Sequence, residues 1–88
     1  MKQATVKVIH PVGLHARPAT VAVNAASGCK SDVVLNFKGR ESNMKSIMGV
    51  MSLGIPTQAE IVISATGDDE DEAIDNIVNA LRAQKVIE

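Results

Sequence analysis

An α+β domain of order βαββαβα, one sheet with its helices gathered on one face, is the fold class this sequence predicts. Three short segments alternate apolar and polar residues, as half-buried strands do. Two longer segments repeat apolar residues at helical spacing, and proline or glycine marks most boundaries between them. With 88 residues the chain has room for one small domain of modest core, and we read residues 1–88 as that domain. This size excludes a large enzyme with a cofactor cleft and a lid.

Taken in order, Ala4 to Ile9 alternates Ala4, Val6 and Val8 against Thr5, Lys7 and Ile9, a first strand. Pro11-Val12-Gly13 breaks it and opens a loop. Pro18 marks a helix start, because an N–H there has no helical partner to lose. Ala19, Ala22, Val23 and Ala26 form its apolar face, Arg17, Thr20, Asn24 and Ser27 its polar stripe, and Gly28 ends it. Asp32 to Phe37 alternates again, and Lys38-Gly39 is a tight turn into a short strand over Arg40 to Asn43. Ser46 is placed to cap a short helix that ends by Leu53-Gly54, and Pro56 prevents its continuation. Glu60 to Thr66 is the fourth strand, with Ile61, Ile63 and Ala65 on one face. Asp69 with Glu72 makes a capping-box-like start for a last helix, whose apolar face is Ile74, Ile77, Val78 and Leu81. From this order alone the sheet is antiparallel or mixed.

Composition narrows the function. The net charge is −1, yet residues 1–45 carry seven Lys and Arg against two acids, and residues 46–88 carry two against eight. Much of the acidic half is the run Asp68 to Glu72, which complements the dipole at a helix start. The basic half suits an acidic protein partner but is too sparse for nucleic acid, and Phe37 alone offers no stacking platform. The single Cys29 permits no disulfide within the chain, no segment resembles a secretory signal, and no apolar run spans a bilayer. A cytoplasmic protein without membrane insertion is expected. His10, His15 and Cys29 match no metal-ligand spacing, so no metal or cofactor is expected.

The chemistry gathers at Gly13-Leu14-His15-Ala16-Arg17-Pro18-Ala19. His15 stands just before a helix N-terminus, where free amides of Ala16, Arg17 and their neighbours and the positive end of the dipole collect anions. An imidazole with a free lone pair there is a nucleophile, and a phosphoryl group on it would face those amides and the Arg17 guanidinium. An ordinary loop histidine beside a chance Arg-Pro fits the same residues equally well. Ser46 has two compatible readings, a structural cap and an acceptor of phosphate at a helix start. Ile47, Met48, Val50, Met51 and Leu53 cannot all point inward from so short a helix, so some form an adaptable exposed surface, although Met48 and Met51 could equally fill core gaps.

The two stretches Gly13 to Ala19 and Lys45-Ser46-Ile47-Met48-Gly49-Val50-Met51-Ser52-Leu53-Gly54, at this separation and within this element order, resemble the HPr family of histidine-containing phosphocarriers of the bacterial sugar phosphotransferase system. The resemblance covers the whole chain. It implies an open-faced sandwich: a four-stranded antiparallel sheet with three helices on one face. It further implies that His15 accepts a phosphoryl group, at Nδ1, from Enzyme I and passes it to IIA domains of sugar permeases. Arg17 would stabilise the group, and Leu14, Thr20, Ile47, Met48, Met51 and Leu53 are the expected docking surface. The Ser46 surroundings resemble the form phosphorylated by HPr kinase/phosphorylase, which acts with a catabolite-control repressor protein. Such a chain is a carrier rather than an enzyme. Two positions depart from the pattern: Val12 offers no polar side chain to His15, and His10 adds a second titrating group near the site. A purely regulatory module working through Ser46 is the alternative, and an unrelated interaction domain a weaker third; the intact His15-Ala16-Arg17-Pro18 set favours the carrier over both.

Overall fold

The computed structural model describes all 88 residues. Four strands, β1 (Lys2–Lys7), β2 (Asp32–Phe37), β3 (Arg40–Asn43) and β4 (Glu60–Thr66), alternate with three helices, α1 (Arg17–Ser27), α2 (Ile47–Ser52) and α3 (Glu70–Ala83), in the order β1-α1-β2-β3-α2-β4-α3. The sheet order is β1-β4-β2-β3, and every pairing is antiparallel. Leu35 sits opposite Ile63 and Val33 opposite Ala65, so the apolar sets of β2 and β4 share one face. That face is buried, with Val33, Leu35, Phe37, Ile61, Ile63 and Ala65 all in the core. The alternate residues Val34, Asn36, Val62 and Ser64 are half-buried on the open side.

The helices close the covered face. α3 packs on β1 and β4, α1 lies against α3 and α2, and α2 leans on β3. Ala19, Ala22, Val23 and Ala26 of α1 meet Ala73, Ile74, Ile77 and Leu81 of α3 in one continuous core, so the small alanines let these helices approach closely. The turn between β2 and β3 has positive φ at both Lys38 (53°) and Gly39 (80°), the backbone that matches strand twist in a two-residue hairpin.

Two expectations are corrected here. β1 runs from Lys2 to Lys7 rather than Ala4 to Ile9, because its ladder with β4 ends at the Lys7 and Glu60 pair. Beyond it the chain changes partner: Val8 bridges Ile87, and the Ile9 N–H donates to the Val86 carbonyl at 2.9 Å. The apolar alternation persists while the pairing moves to a buried C-terminal segment, Val86-Ile87, that the helical pattern does not announce. Asp69 is the N-cap of α3, but its side chain makes no cap bond and forms no box with Glu72. Its carboxylate instead accepts the backbone N–H groups of Lys30 and Ser31, each at 2.9 Å, and the Ser31 hydroxyl. Three donors from the α1–β2 loop outweigh one cap bond, and Glu70 supplies a local substitute by accepting the Gly67 N–H at 3.3 Å.

Candidate functional site

The loop that carries His15 is pinned on both sides. Gly13 has φ +70°, and a Cβ there would run into the Ile55 carbonyl oxygen and come within 2.9 Å of the Pro56 Cα. Only glycine allows this approach. The Leu14 N–H then donates to the Ile55 carbonyl at 3.0 Å, and the Leu14 side chain is buried in the core. With Leu14 anchored inward, His15, Ala16 and Arg17 are left exposed.

Ala16 is the N-cap of α1 and holds φ 50°, ψ −118°, a conformation that costs an alanine about 1–3 kcal/mol. The turn is maintained by its carbonyl, which accepts both the Thr20 N–H (3.1 Å) and the Thr20 hydroxyl (3.3 Å). Pro18, buried within the first turn, brings no N–H that would need a partner. The backbone N–H groups of His15, Ala16 and Arg17 donate to no carbonyl and no side chain. The Arg17 guanidinium likewise makes no ion pair and no hydrogen bond within the chain. An exposed imidazole thus sits beside amide donors and a cation, all unengaged, at the positive end of an 11-residue helix.

Ser46 is the N-cap of α2. Its Oγ accepts the Gly49 N–H at 3.1 Å and its carbonyl accepts the Val50 N–H at 2.9 Å, as its sequence position suggests. The side chain is half-buried, and α2 packs against α1. At the other end, Arg40 donates to the carbonyls of Ser52 (3.0 Å) and Leu53 (3.4 Å), capping the short helix from β3.

The predicted docking residues divide. Thr20, Ile47 and Met48 are exposed, Met48 to 80% and Ile47 to 42%. Met51 is half-buried against the core. Leu14 and Leu53, at 2% and 3%, belong to the core itself, so the expectation that they form a docking surface is corrected: their side chains anchor the site loop and the end of α2. No cluster of three or more His, Cys, Asp or Glu residues gathers to hold a metal. Ile55 and Arg40, which hold the His15 loop and α2 in place, escaped the sequence reading. Their partners are far along the chain, and no local pattern marks them.

The fold is a small open-faced sandwich with an exposed histidine at a helix start. Residues 2–83 match the model of the family described as PTS HPr component phosphorylation site, and the chain belongs to this HPr phosphocarrier family of the phosphotransferase system. It is similar to the histidine-containing phosphocarrier protein of Mycoplasma, at 37% identity and a TM-score of 0.94 over 99% of each chain. The phosphocarrier protein HPr of Bacillus anthracis is 38% identical with a TM-score of 0.83, covering 90% of this chain and 94% of that one. Crh, the catabolite repression protein of Bacillus subtilis, is 40% identical over 100% of both chains, with a TM-score of 0.73, in a structure described as a domain-swapped, intertwined dimer. Family members are carriers in a phosphotransferase relay and work with other components of that system.

Proposed function

We propose that this chain, acting as one carrier domain in the cytoplasm, accepts a phosphoryl group on His15 from phosphorylated Enzyme I and delivers it to IIA domains of sugar permeases. The observation supporting this is the exposed His15 beside the unengaged N–H groups of Ala16 and Arg17 and the unpaired Arg17 guanidinium. On acceptance the bond between phosphorus and the phosphorylated group of Enzyme I breaks as a phosphorus–nitrogen bond forms at Nδ1 of His15, and on delivery that bond breaks as a new one forms on the IIA domain. The group travels in line between two docked sites, with positioning and charge stabilisation as the protein's contribution. Amides at the start of α1 and Arg17 face the three phosphoryl oxygens. A relay requires near balance, since about 1.4 kcal/mol of excess stabilisation slows the next transfer about tenfold. An open, wet site with one arginine meets this need better than a closed pocket.

Ser46 gives the same domain a regulatory input. Phosphorylated by HPr kinase/phosphorylase, it would bind the catabolite-control repressor protein, and its charge beside Ile47 and Met48 would slow docking of an acidic Enzyme I. The place of Ser46 as N-cap of α2 and the 40% identity to Crh support this second role. The relay is tested by reconstitution: phosphoenolpyruvate, Enzyme I, this chain and a IIA domain. Phosphate should reach IIA only when the chain is present and should fail to do so with His15→Ala. Transfer through the His15→Ala variant would refute the assignment.

A further inference from the structure

His10 is the second histidine of the chain. It organises the turn between β1 and the site. Its N–H donates to the Val86 carbonyl at 3.3 Å, its carbonyl accepts the Gly13 N–H at 2.9 Å, and its ring Nδ1 accepts the Val12 N–H at 3.3 Å. One residue thus ties residues 10–13 to the buried C-terminal segment and closes the turn on itself. The turn is directly continuous with Gly13 and Leu14, whose fit against Ile55 and Pro56 sets where His15 emerges.

We propose that His10 is a positioning residue for His15: its unprotonated ring fixes the 10–13 turn, and its protonation releases that hold and slows phosphoryl acceptance. The inference rests on the carrier reading above. A ring nitrogen can accept the Val12 N–H only while it keeps its lone pair; the imidazolium has two donors and no acceptor. Protonation therefore removes the bond and sets two donors against each other. The hold is present while the ring is unprotonated and is lost once it takes up a proton. Charged groups on the segments bonded to this turn are Lys7, Lys85 and Glu88, and none of them hydrogen-bonds the ring; His15 and Arg17 follow in the chain. Gly13 and Leu14 keep their own contacts, so the loop loosens without unfolding.

The test compares whole-chain wild type, His10→Ala and His10→Asn. Asparagine can accept an N–H two residues on through its side-chain oxygen and does not titrate, so it separates the bond from the charge. The first readout is hydrogen exchange of the Val12 amide, corrected for intrinsic exchange, between about pH 5 and 8. The second is the rate of phosphate uptake from phosphorylated Enzyme I, taken relative to His10→Asn at each pH so that every pH effect common to the two proteins cancels. The wild type should match His10→Asn at the upper end and fall to the level of His10→Ala at the lower end. The Val12 amide should lose about two- to tenfold in protection, as for one modest hydrogen bond. Phosphate uptake with a Val12 amide whose protection does not change with pH, or a His10→Ala variant equal to His10→Asn throughout, overturns this proposal alone. Absence of phosphate on every form, wild type included, overturns the carrier reading and this proposal with it.

Discussion

Asp69 and Ser31 lie 38 positions apart, yet the Asp69 carboxylate accepts both the backbone N–H and the hydroxyl of Ser31. This joins the start of α3 to the loop that follows α1. It helps hold α3 against α1, the helix that starts at the site. The Lys30 N–H and the Ser31 hydroxyl, with the Ser31 N–H, hold the Asp69 carboxyl below the usual carboxylate range.

A depressed native pKa means that the bond stabilises the fold above the ordinary aspartate range and that this contribution is lost as pH falls through the lower native value. Asp69→Ala should therefore lower the melting temperature at neutral pH. Its deficit should shrink as pH falls below about 4, because the unfolded carboxyl then binds a proton that the native one resists. Thermal unfolding of both proteins across that range checks it. A deficit that stays constant into acid would contradict the assignment.

Gly13→Ala should be costly despite adding one methyl. The new Cβ meets the Ile55 carbonyl and the Pro56 backbone, and alanine must also hold φ +70°. A loss of about 1–3 kcal/mol is expected, with slower phosphate uptake because the loop carrying His15 must shift. Chemical denaturation and an uptake assay read the two effects.

Burial separates anchoring residues from docking residues. Leu14→Ala should cost about 2–5 kcal/mol, as for a leucine removed from a packed core. Met48→Ala, at an 80% exposed position, should leave stability within about 0.5 kcal/mol and weaken transfer with partners instead. A destabilised Met48→Ala or a neutral Leu14→Ala would reverse the roles.

At Ser46, alanine and aspartate should diverge. Ser46→Ala loses the bond to the Gly49 N–H and about 1 kcal/mol of stability. Ser46→Asp can keep a cap and adds negative charge, so it should be the more stable of the two while accepting phosphate more slowly from Enzyme I. A Ser46→Asp variant that accepts phosphate at the wild-type rate would remove the regulatory argument.

What could be read along the chain depended on the range of the interaction. β2, β3 and β4 have the bounds their alternation and the Lys38-Gly39 turn suggest, and Pro18 and Ser46 mark helices found in the structure. These signals lie within a few residues. The end of β1 depends on where β4 stops pairing, and the burial of Val86 and Ile87 depends on Val8 and Ile9; neither is local. Asp69 illustrates competition: its capping position was visible, but the donors at Lys30 and Ser31 that claim its carboxylate arrive only with the tertiary fold. At the site, the order His15, Ala16, Arg17, Pro18 marked the helix start, whose first N–H groups the structure leaves without partners. The left-handed Ala16 and the burial of Leu14 did not show, because they follow from how Gly13 sits against Ile55. Arg40 is likewise recognised as a cap for α2 only once β3 lies beside it.

The central claim is that His15 carries the phosphoryl group. Intact-mass measurement after incubation with phosphoenolpyruvate, magnesium and Enzyme I, followed by brief acid treatment, tests it most directly. A single phosphate on the wild type, lost in acid and absent from folded His15→Ala, is the expected result. A wild type that stays unmodified beside active Enzyme I, or a His15→Ala variant that still gains an acid-labile phosphate, would contradict it.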